Sequence, residues 1–283
     1  MSIYNTLPVT RIKIGIAKIL YRFVRVFYGK NNFVISRSGI YYEIDLTEGI
    51  DLSLFLFGSF QKHIISRKFA RLTDHAIVLD VGANFGAISL QFARLIPQGI
   101  VYAFEPTHYA LKKLKRNISL NPVLSSRIKV YNTFVSSRST AIAELKAFSS
   151  WDVSGRRKEN LHPIHLGEEK STDGVGAISL DDFCNQNKLT RVDLIKIDTD
   201  GHEPEVLQGA KEIISKFRPY IIFEIGMYIM EEKGIDFLFY VNYFKELNFQ
   251  LINSRTGAII TMENHKTHIP SKGSIDILAA YKD

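Results

Sequence analysis

The sequence predicts an α/β protein with a doubly wound, mostly parallel sheet and an N-terminal helix-and-hairpin extension. Three observations carry this. The run Ile77-Val78-Leu79-Asp80-Val81 is a short β-branched strand, Gly82-Ala83-Asn84-Phe85-Gly86 is a small-residue turn, and Ala87 to Ala93 reads as a helix. Strand, glycine turn and helix open a nucleotide-binding unit. Apolar strand patterns and amphipathic helical patterns then alternate toward the C-terminus. Carboxylates recur at strand ends, at Asp80, Glu105, Asp198 and Glu224, where open α/β sheets bind ligands.

The 283 residues fit one large domain with an extension, divided here as 1–75 and 76–283. A single cysteine, Cys184, excludes an internal disulfide framework and suits a reducing, cytoplasmic setting. The net charge of +7 admits nucleic acid, an anionic membrane surface or an anionic substrate as partner. No run of interleaved aromatic and basic residues marks a nucleic-acid platform, so that class is not favoured.

Ile12 to Tyr28 is apolar but interrupted by Lys13, Lys18, Arg22 and Arg25. It is too short and too charged to span a bilayer and lacks the layout of a secretory signal. Arg11, Lys18, Arg22 and Arg25 share one side of a helix, beside a broad apolar face. Two readings follow for residues 11–28: a helix docked on the domain, or an interfacial helix lying on an anionic membrane. Phe33 to Ile35 and Ile40 to Leu46, joined by Arg37-Ser38-Gly39, read as a β-hairpin. Asp51 to Leu56 and Phe60 to Leu72 read as short helices broken near Gly58.

In the core, Ile100 to Glu105 is a buried strand ending in an acid 23 residues after Gly82 (105 − 82). An acid there is placed to accept hydrogen bonds from ribose hydroxyls, although strand-end acids also cap helices. Thr107 to Leu120 is an amphipathic helix stopped by Asn121-Pro122. Arg127 to Val135 reads as the third strand, whose end puts Val135 and Ser136 beside a bound base. The polar stretch from Ala141 to Ser171, with Ser149, Ser150, Trp151, Arg156, Arg157, His162 and His165, reads as a substrate lid or a solvated excursion. The two histidines lack matching acids or cysteines, so no zinc site is expected.

Ala177 to Phe183 reads as a strand entering a helix, and Val192 to Asp198 as a central strand. Asp198, Asp200, His202 and Glu203 then crowd at its carboxyl end. Capping explains Asp200 and Glu203 but not Lys196 and Asp198, which straddle an apolar position in a buried strand. Val206, Ala210, Ile213, Ile214 and Phe217 form a helical face. Tyr220 to Ile225 is a strand, Ile235 to Leu247 a helix, and Phe249 to Asn253 and Ser274 to Tyr281 a closing antiparallel pair. The polar linker Thr261 to Lys272 could overhang the site.

Taken together, Val78 to Gly86, Ala103-Phe104-Glu105-Pro106, Ser179 to Phe183, Asp193 to Glu203 with Val206-Leu207-Gln208-Gly209-Ala210, and Phe223-Glu224 resemble, in order and spacing, the FkbM-type family of S-adenosylmethionine-dependent methyltransferases. The resemblance runs from about Arg37 to the end, and Lys196 to Glu203 is its specific part. It implies a seven-stranded sheet with the last strand reversed, S-adenosyl-L-methionine as cofactor, and methylation of a hydroxyl on a sugar, glycan or other small polar product. It places the methionine part at Asp80 and the bend of Gly82, Asn84 and Gly86, and the ribose at Glu105, followed by Pro106. Asp200 departs from the glutamate the family often has there, and His202 fills a variable position.

Methylating an alcohol needs an in-line oxygen and a base to take its proton. Asp198 and His202 are the sequence candidates, with Asp200 or Glu203 orienting. A divalent metal on Asp198 and Asp200 is the alternative way to acidify the hydroxyl. Competing functions are a nicotinamide-dependent oxidoreductase, whose G-x-G-x-x-G is absent, and a non-catalytic binding protein on the same fold.

Overall fold

The computed structural model describes residues 10–58, 61–65, 72–141, 145, 147–154, 167–271 and 273–282, with backbone only for 10–14 and 148–151. In chain order the strands are β1 (Asn32–Arg37), β2 (Ile40–Asp45), β3 (Ile77–Val81), β4 (Ile100–Phe104), β5 (Ile128–Tyr131), β6 (Phe134–Val135), β7 (Ala147–Trp151), β8 (Gly167–Lys170), β9 (Ala177–Ile178), β10 (Leu194–Ile197), β11 (Tyr220–Gly226), β12 (Phe249–Asn253), β13 (Ile259–Ile260) and β14 (Ser274–Tyr281). The main sheet runs β13-β12-β14-β11-β10-β3-β4-β5. From β5 to β11 the pairs are parallel, and β14 is antiparallel to both β11 and β12. The reversed last strand is therefore where the sequence puts it. The strand count differs, because the two-residue β13 adds an eighth strand at the edge.

Both sheet faces are covered, as near-continuous apolar strands require. Val78, Val101, Leu194, Ile222 and Leu278 point to one side, while Leu79, Tyr102, Ile195, Phe223 and Ile277 point to the other. The first side is closed by the N-terminal extension, whose Ala17, Tyr21, Ile40, Tyr42, Ile44, Leu52 and Leu54 join the same core. The hairpin turns through Ser38 and Gly39, both left-handed (φ 51° and 77°), which matches the twist of its strands.

Two asparagines fasten that hairpin. The helix His108–Ser119 buries Asn117 on its inner side, in line with Leu114. Asn117 accepts from the Glu43 amide (2.7 Å) and donates to the Phe85 carbonyl (2.9 Å). Asn121 accepts from the Tyr41 amide (2.9 Å) and donates to the Tyr41 carbonyl (2.7 Å). The free edge of β2 is thus satisfied by side-chain amides, and the extension is tied to the glycine bend. A second tie is Lys113, which pairs with the fully buried Asp51 (2.7 Å) and with Glu48 (3.3 Å).

Several boundaries move. Arg127 to Val135 is not one strand: β5 ends at Tyr131, and β6 leaves the main sheet to pair with β9. The face from Val206 to Phe217 spans two helices, Glu203–Gln208 and Lys211–Phe217. They break at Gly209, where a Cβ would lie 2.1 Å from the Ser136 carbonyl oxygen. The helix Gly49–Phe57 ends at left-handed Gly58 (φ 71°). The second helix expected before Leu72 is, over 61–65, a turn, and 59–60 and 66–71 lie outside the described residues. The helix Met227–Lys233 and the short His265–His268 are additions, the latter inside the polar linker. In that linker His265 is buried and stacks on Phe237 with ring centroids 4.6 Å apart, a packing role. The Ala141 to Ser171 stretch contains the antiparallel pair β7 and β8, while Arg156, Arg157, His162 and His165 lie outside the described residues.

Asn117→Ala leaves a buried amide and carbonyl without partners. We expect a loss of about 2–4 kcal/mol in urea unfolding. A change under about 0.5 kcal/mol would show that the hairpin is held by apolar packing alone.

Candidate active site

The parallel order reverses between β3 and β10, from whose sides the chain winds outward in both directions. This switch point is where an open α/β sheet leaves a crevice at its carboxyl ends. The side chains gathered there lie on two rungs of the sheet. On the inner rung Asp80 and Lys196 are register partners, flanked by Ile222 and Leu278. On the outer rung Asp198, one residue beyond β10, lies next to the register pair Glu224 and Asp276.

Lys196 is the hub. Its Nζ is 3.2 Å from Asp198 Oδ2, 3.2 Å from the Gly82 carbonyl and 3.6 Å from Asp80 Oδ1. Burial opposes its charge, but Asp198 and Asp80 outweigh burial and hold the ammonium above the ordinary lysine range. Asp80 is fully buried and accepts from Ser89 Oγ at 2.5 Å, while its Oδ1 has no hydrogen-bond donor. Burial pushes its proton affinity up, and Lys196 and Ser89 pull it back. Asp80 therefore acts on the crevice through Lys196.

The glycine bend has two left-handed glycines, Gly82 (φ 77°) and Gly86 (φ 89°), with Asn84 (φ 50°) between them. The amides of Gly82 and Ala83 both donate to the Phe104 carbonyl, at 3.1 and 3.0 Å. The Gly86 amide donates to the Ala83 carbonyl (2.9 Å), and that of Asn84 to Glu105 Oε2 (2.9 Å). These four amides are used inside the protein. A Cβ on Gly82 would sit 1.9 Å from the Asp198 carbonyl oxygen, so glycine is required by the approach of β10. Gly86 starts the helix Ala87–Leu95.

Glu105 is the residue that the bend orients. Its Oε1 accepts from the Thr107 amide (2.9 Å) and Oγ1 (2.6 Å), and Oε2 accepts from Asn84. Asn132 donates to the carbonyls of Glu105 and Pro106, 2.9 Å each, and so fixes the turn after β4. Burial raises the proton affinity of Glu105, and these donors offset part of the rise. A carboxylate offers about four acceptor positions and three are taken, so acceptor capacity remains for one further hydroxyl donor. Val135 is buried in the core beside Leu180 and Phe183. The Ser136 amide is bound to the Ile178 carbonyl (3.1 Å).

The acids at the end of β10 divide by role. Glu203 is buried and accepts from the Thr199 amide (2.8 Å) and Oγ1 (3.0 Å), which closes the turn before its helix. His202 is the residue before that helix. Asp200 is left-handed (φ 52°) and exposed as a residue. Enclosure by the crevice walls, then the charges of Asp198, Glu203 and Glu105, push its carboxyl up to about 8. Glu224 is also held well above the carboxylate range, by burial first and then by Asp198 and Asp276. Among the described residues no group of three or more His, Cys, Asp or Glu is arranged to hold a metal ion.

Four contributors escaped sequence reasoning. Gln61 Nε2 lies 3.4 Å from both Asp198 Oδ2 and Asp276 Oδ1. His63 Nε2 lies 2.6 Å from Asp276 Oδ2. Ser274 Oγ donates to Glu224 Oε1 at 2.5 Å. Asp276, an acid inside the apolar strand Ser274–Tyr281, is the same signal that singled out Lys196 and could have been read. Nothing local marks Gln61, His63 or Ser274, because only the fold brings them to the outer rung.

The FkbM methyltransferase domain matches residues 80–251, from the end of β3 into β12. The chain belongs to the FkbM methyltransferase family. Among its relatives are the 2-O-methyltransferase NoeI of Sinorhizobium fredii, 30% identical over 50% of this chain and 60% of NoeI, and the methyltransferase sdnD of Sordaria araneosa, 29% identical over 59% of this chain and 76% of sdnD. This chain thus spans less than two thirds of NoeI. A crystal structure of an FkbM methyltransferase from Methylobacillus flagellatus superposes with a TM-score of 0.47 at 18% identity, over 75% of this chain and 44% of that one.

Two expectations follow. Gly82→Ala forces β3 and β10 apart, so we expect about 3 kcal/mol of destabilisation or failure to fold; an unchanged melting temperature would refute the close approach. For Asp200, the folded-state value near 8 lies above the ordinary 3.8. The folded protein then holds more protons than the unfolded chain between these values, and stability falls as pH rises through that window. Asp200→Asn should flatten the fall in melting temperature between about pH 5 and 8, solvent screening limiting the effect; an identical slope would contradict the crowding.

Proposed function

We propose that this protein transfers a methyl group from S-adenosyl-L-methionine to a hydroxyl of a sugar, glycan or similar small polar acceptor. The observation that carries the reading is the imbalance of charge at the switch point. Glu105, Asp198, Asp200, Glu203 and Glu224 converge on one crevice, and Lys196 is the cation among them that the sheet supplies. Such a site rewards a cationic ligand, because an added positive charge favours the ionised form of the crowded carboxyls of Asp200 and Glu224, which mutual repulsion and burial now disfavour. The residues fit the cofactor on that count and on the remaining acceptor capacity of Glu105.

When bound, S-adenosyl-L-methionine supplies an electrophilic methyl on a positively charged sulfur. Glu105 would hold a ribose hydroxyl. Lys196 pairs with Asp80 and Asp198 and holds both in place, which fixes the floor of the crevice. The outer rung then handles the acceptor. Asp198 is already engaged by Lys196 and Gln61, which ties its carboxylate to the protein. His63 is better placed: donating Nε2–H to Asp276 leaves Nδ1 with a lone pair to take the hydroxyl proton. With the cofactor bound, His63 would take the hydroxyl proton of the acceptor, whose oxygen would receive the methyl group as the sulfur left with the electron pair of the broken bond. The 2-O-methyltransferase relative NoeI supports oxygen as the acceptor atom.

Calorimetric titration with S-adenosylhomocysteine tests the cofactor half. We expect binding by the wild-type protein, about 10–100-fold weaker in Glu105→Ala, and none for NADH; equal affinity in the variant, or preference for NADH, would reject it. With labelled cofactor and a panel of oligosaccharides, His63→Ala should lose turnover while still binding S-adenosylhomocysteine. Transfer to nitrogen or sulfur acceptors only would overturn the hydroxyl assignment.

A further inference from the structure

The helix Thr10–Tyr28 has two apolar sides, and only one of them is used. Ala17 and Tyr21 are buried in the core, Ile16 and Val24 pack beside them, and Tyr28 meets Phe33 and Phe55 edge-on with centroids 5.4 Å away. The docked stripe is therefore Ala17, Tyr21 and Val24, at helical spacing, with Tyr28 at its end half-exposed against Phe33 and Phe55. On the far side Ile19, Phe23, Val26 and Phe27 are 55%, 64%, 81% and 82% exposed. At about 100° per residue these four span an arc of roughly 100°. Single exposed apolar residues are ordinary, but a continuous stripe of this size marks a contact surface.

The charges beside that stripe say what it contacts. Lys18, Arg22 and Arg25 occupy the arc between the docked stripe and the exposed one, and the helix carries no acidic residue. Arg25 is steadied by the Tyr21 hydroxyl (3.1 Å), which itself donates to Asn31 (3.2 Å). A second copy packed symmetrically on this face would set one basic stripe near the other with no acid on the helix to answer it. Nucleic acid would meet the charges and leave the aromatic and aliphatic stripe in water. An anionic membrane satisfies both features, with the apolar side chains at the boundary of headgroups and acyl chains and the cations at lipid phosphates. No helix among the described residues is long and apolar enough to cross a membrane, and the inner stripe is already docked on the protein, so the contact lies in the membrane plane.

We propose that the outer face of this helix is a membrane-surface anchor for anionic lipid. The inference stands apart from the methyl-transfer reading, since none of these residues lies at the switch point. Co-sedimentation of the full chain with phosphatidylcholine vesicles, with and without phosphatidylglycerol, tests it. The protein should pellet with the anionic vesicles and remain in solution with the neutral ones. Phe23→Glu with Phe27→Glu should abolish pelleting, and Lys18→Gln with Arg22→Gln should reduce it by roughly tenfold or more. Melting temperature and S-adenosylhomocysteine binding should be unchanged in both variants, because the four positions are away from the core contacts. The proposal is overturned if the protein ignores anionic vesicles, if the two glutamates leave pelleting intact, or if light scattering shows a wild-type dimer that the glutamates split, which would assign the face to self-association.

Discussion

One buried ammonium holds the site together. Lys196 stands on the strand next to β3 at the switch point and faces Asp80, Asp198 and the Gly82 carbonyl at once. A buried ion pair adds little net stability over apolar packing, but losing one partner costs several kcal/mol because the other charge is stranded. Here the pair ties the two strands whose carboxyl ends form the crevice. The backbone of Asp198 comes so close to Gly82 that a methyl group would not fit between them. Charge and close backbone contact therefore reinforce one another, and the crevice has a stiff floor on which the outer acids are arranged.

The N-terminal extension completes that arrangement as well as covering a sheet face. Its hairpin is gripped by Asn117 and Asn121, and its turn at 61–65 brings Gln61 and His63 to Asp198 and Asp276. The same extension carries a helix with an apolar outer stripe. Core, site and surface are thus joined through one segment, which explains why its residues pack with Leu90, Phe92 and Leu194 in a single cluster.

Much of this was legible in the sequence, and the reasons are local. Strand, glycine turn and helix at 77–93, the acid at 105 and the polar residues straddling Ile197 are written in short stretches, and the fold places them together as read. The order of the closing strands followed from the resemblance to a known family. Other features depend on distance in the chain. The partners of the Gly82, Ala83 and Asn84 amides, the Phe104 carbonyl and Glu105, lie about 20 residues away, and only the parallel pairing of β3 and β4 brings them in. The break between Tyr131 and Phe134 is invisible because β6 leaves the sheet for β9, a long-range pairing of two residues that leaves no periodic signal. His63 and Asp276 are 213 residues apart, and neither carries a mark of the other.

The most direct test of the central claim is a double-mutant cycle in urea unfolding on Lys196→Met and Asp80→Asn. Each single change strands a buried partner and should cost about 3 kcal/mol or more, and the double variant should cost well below the sum, leaving a coupling energy of about 2 kcal/mol. Additive losses, with coupling near zero, would mean that the ammonium does not bridge the two strands and that the crevice is held by apolar packing instead.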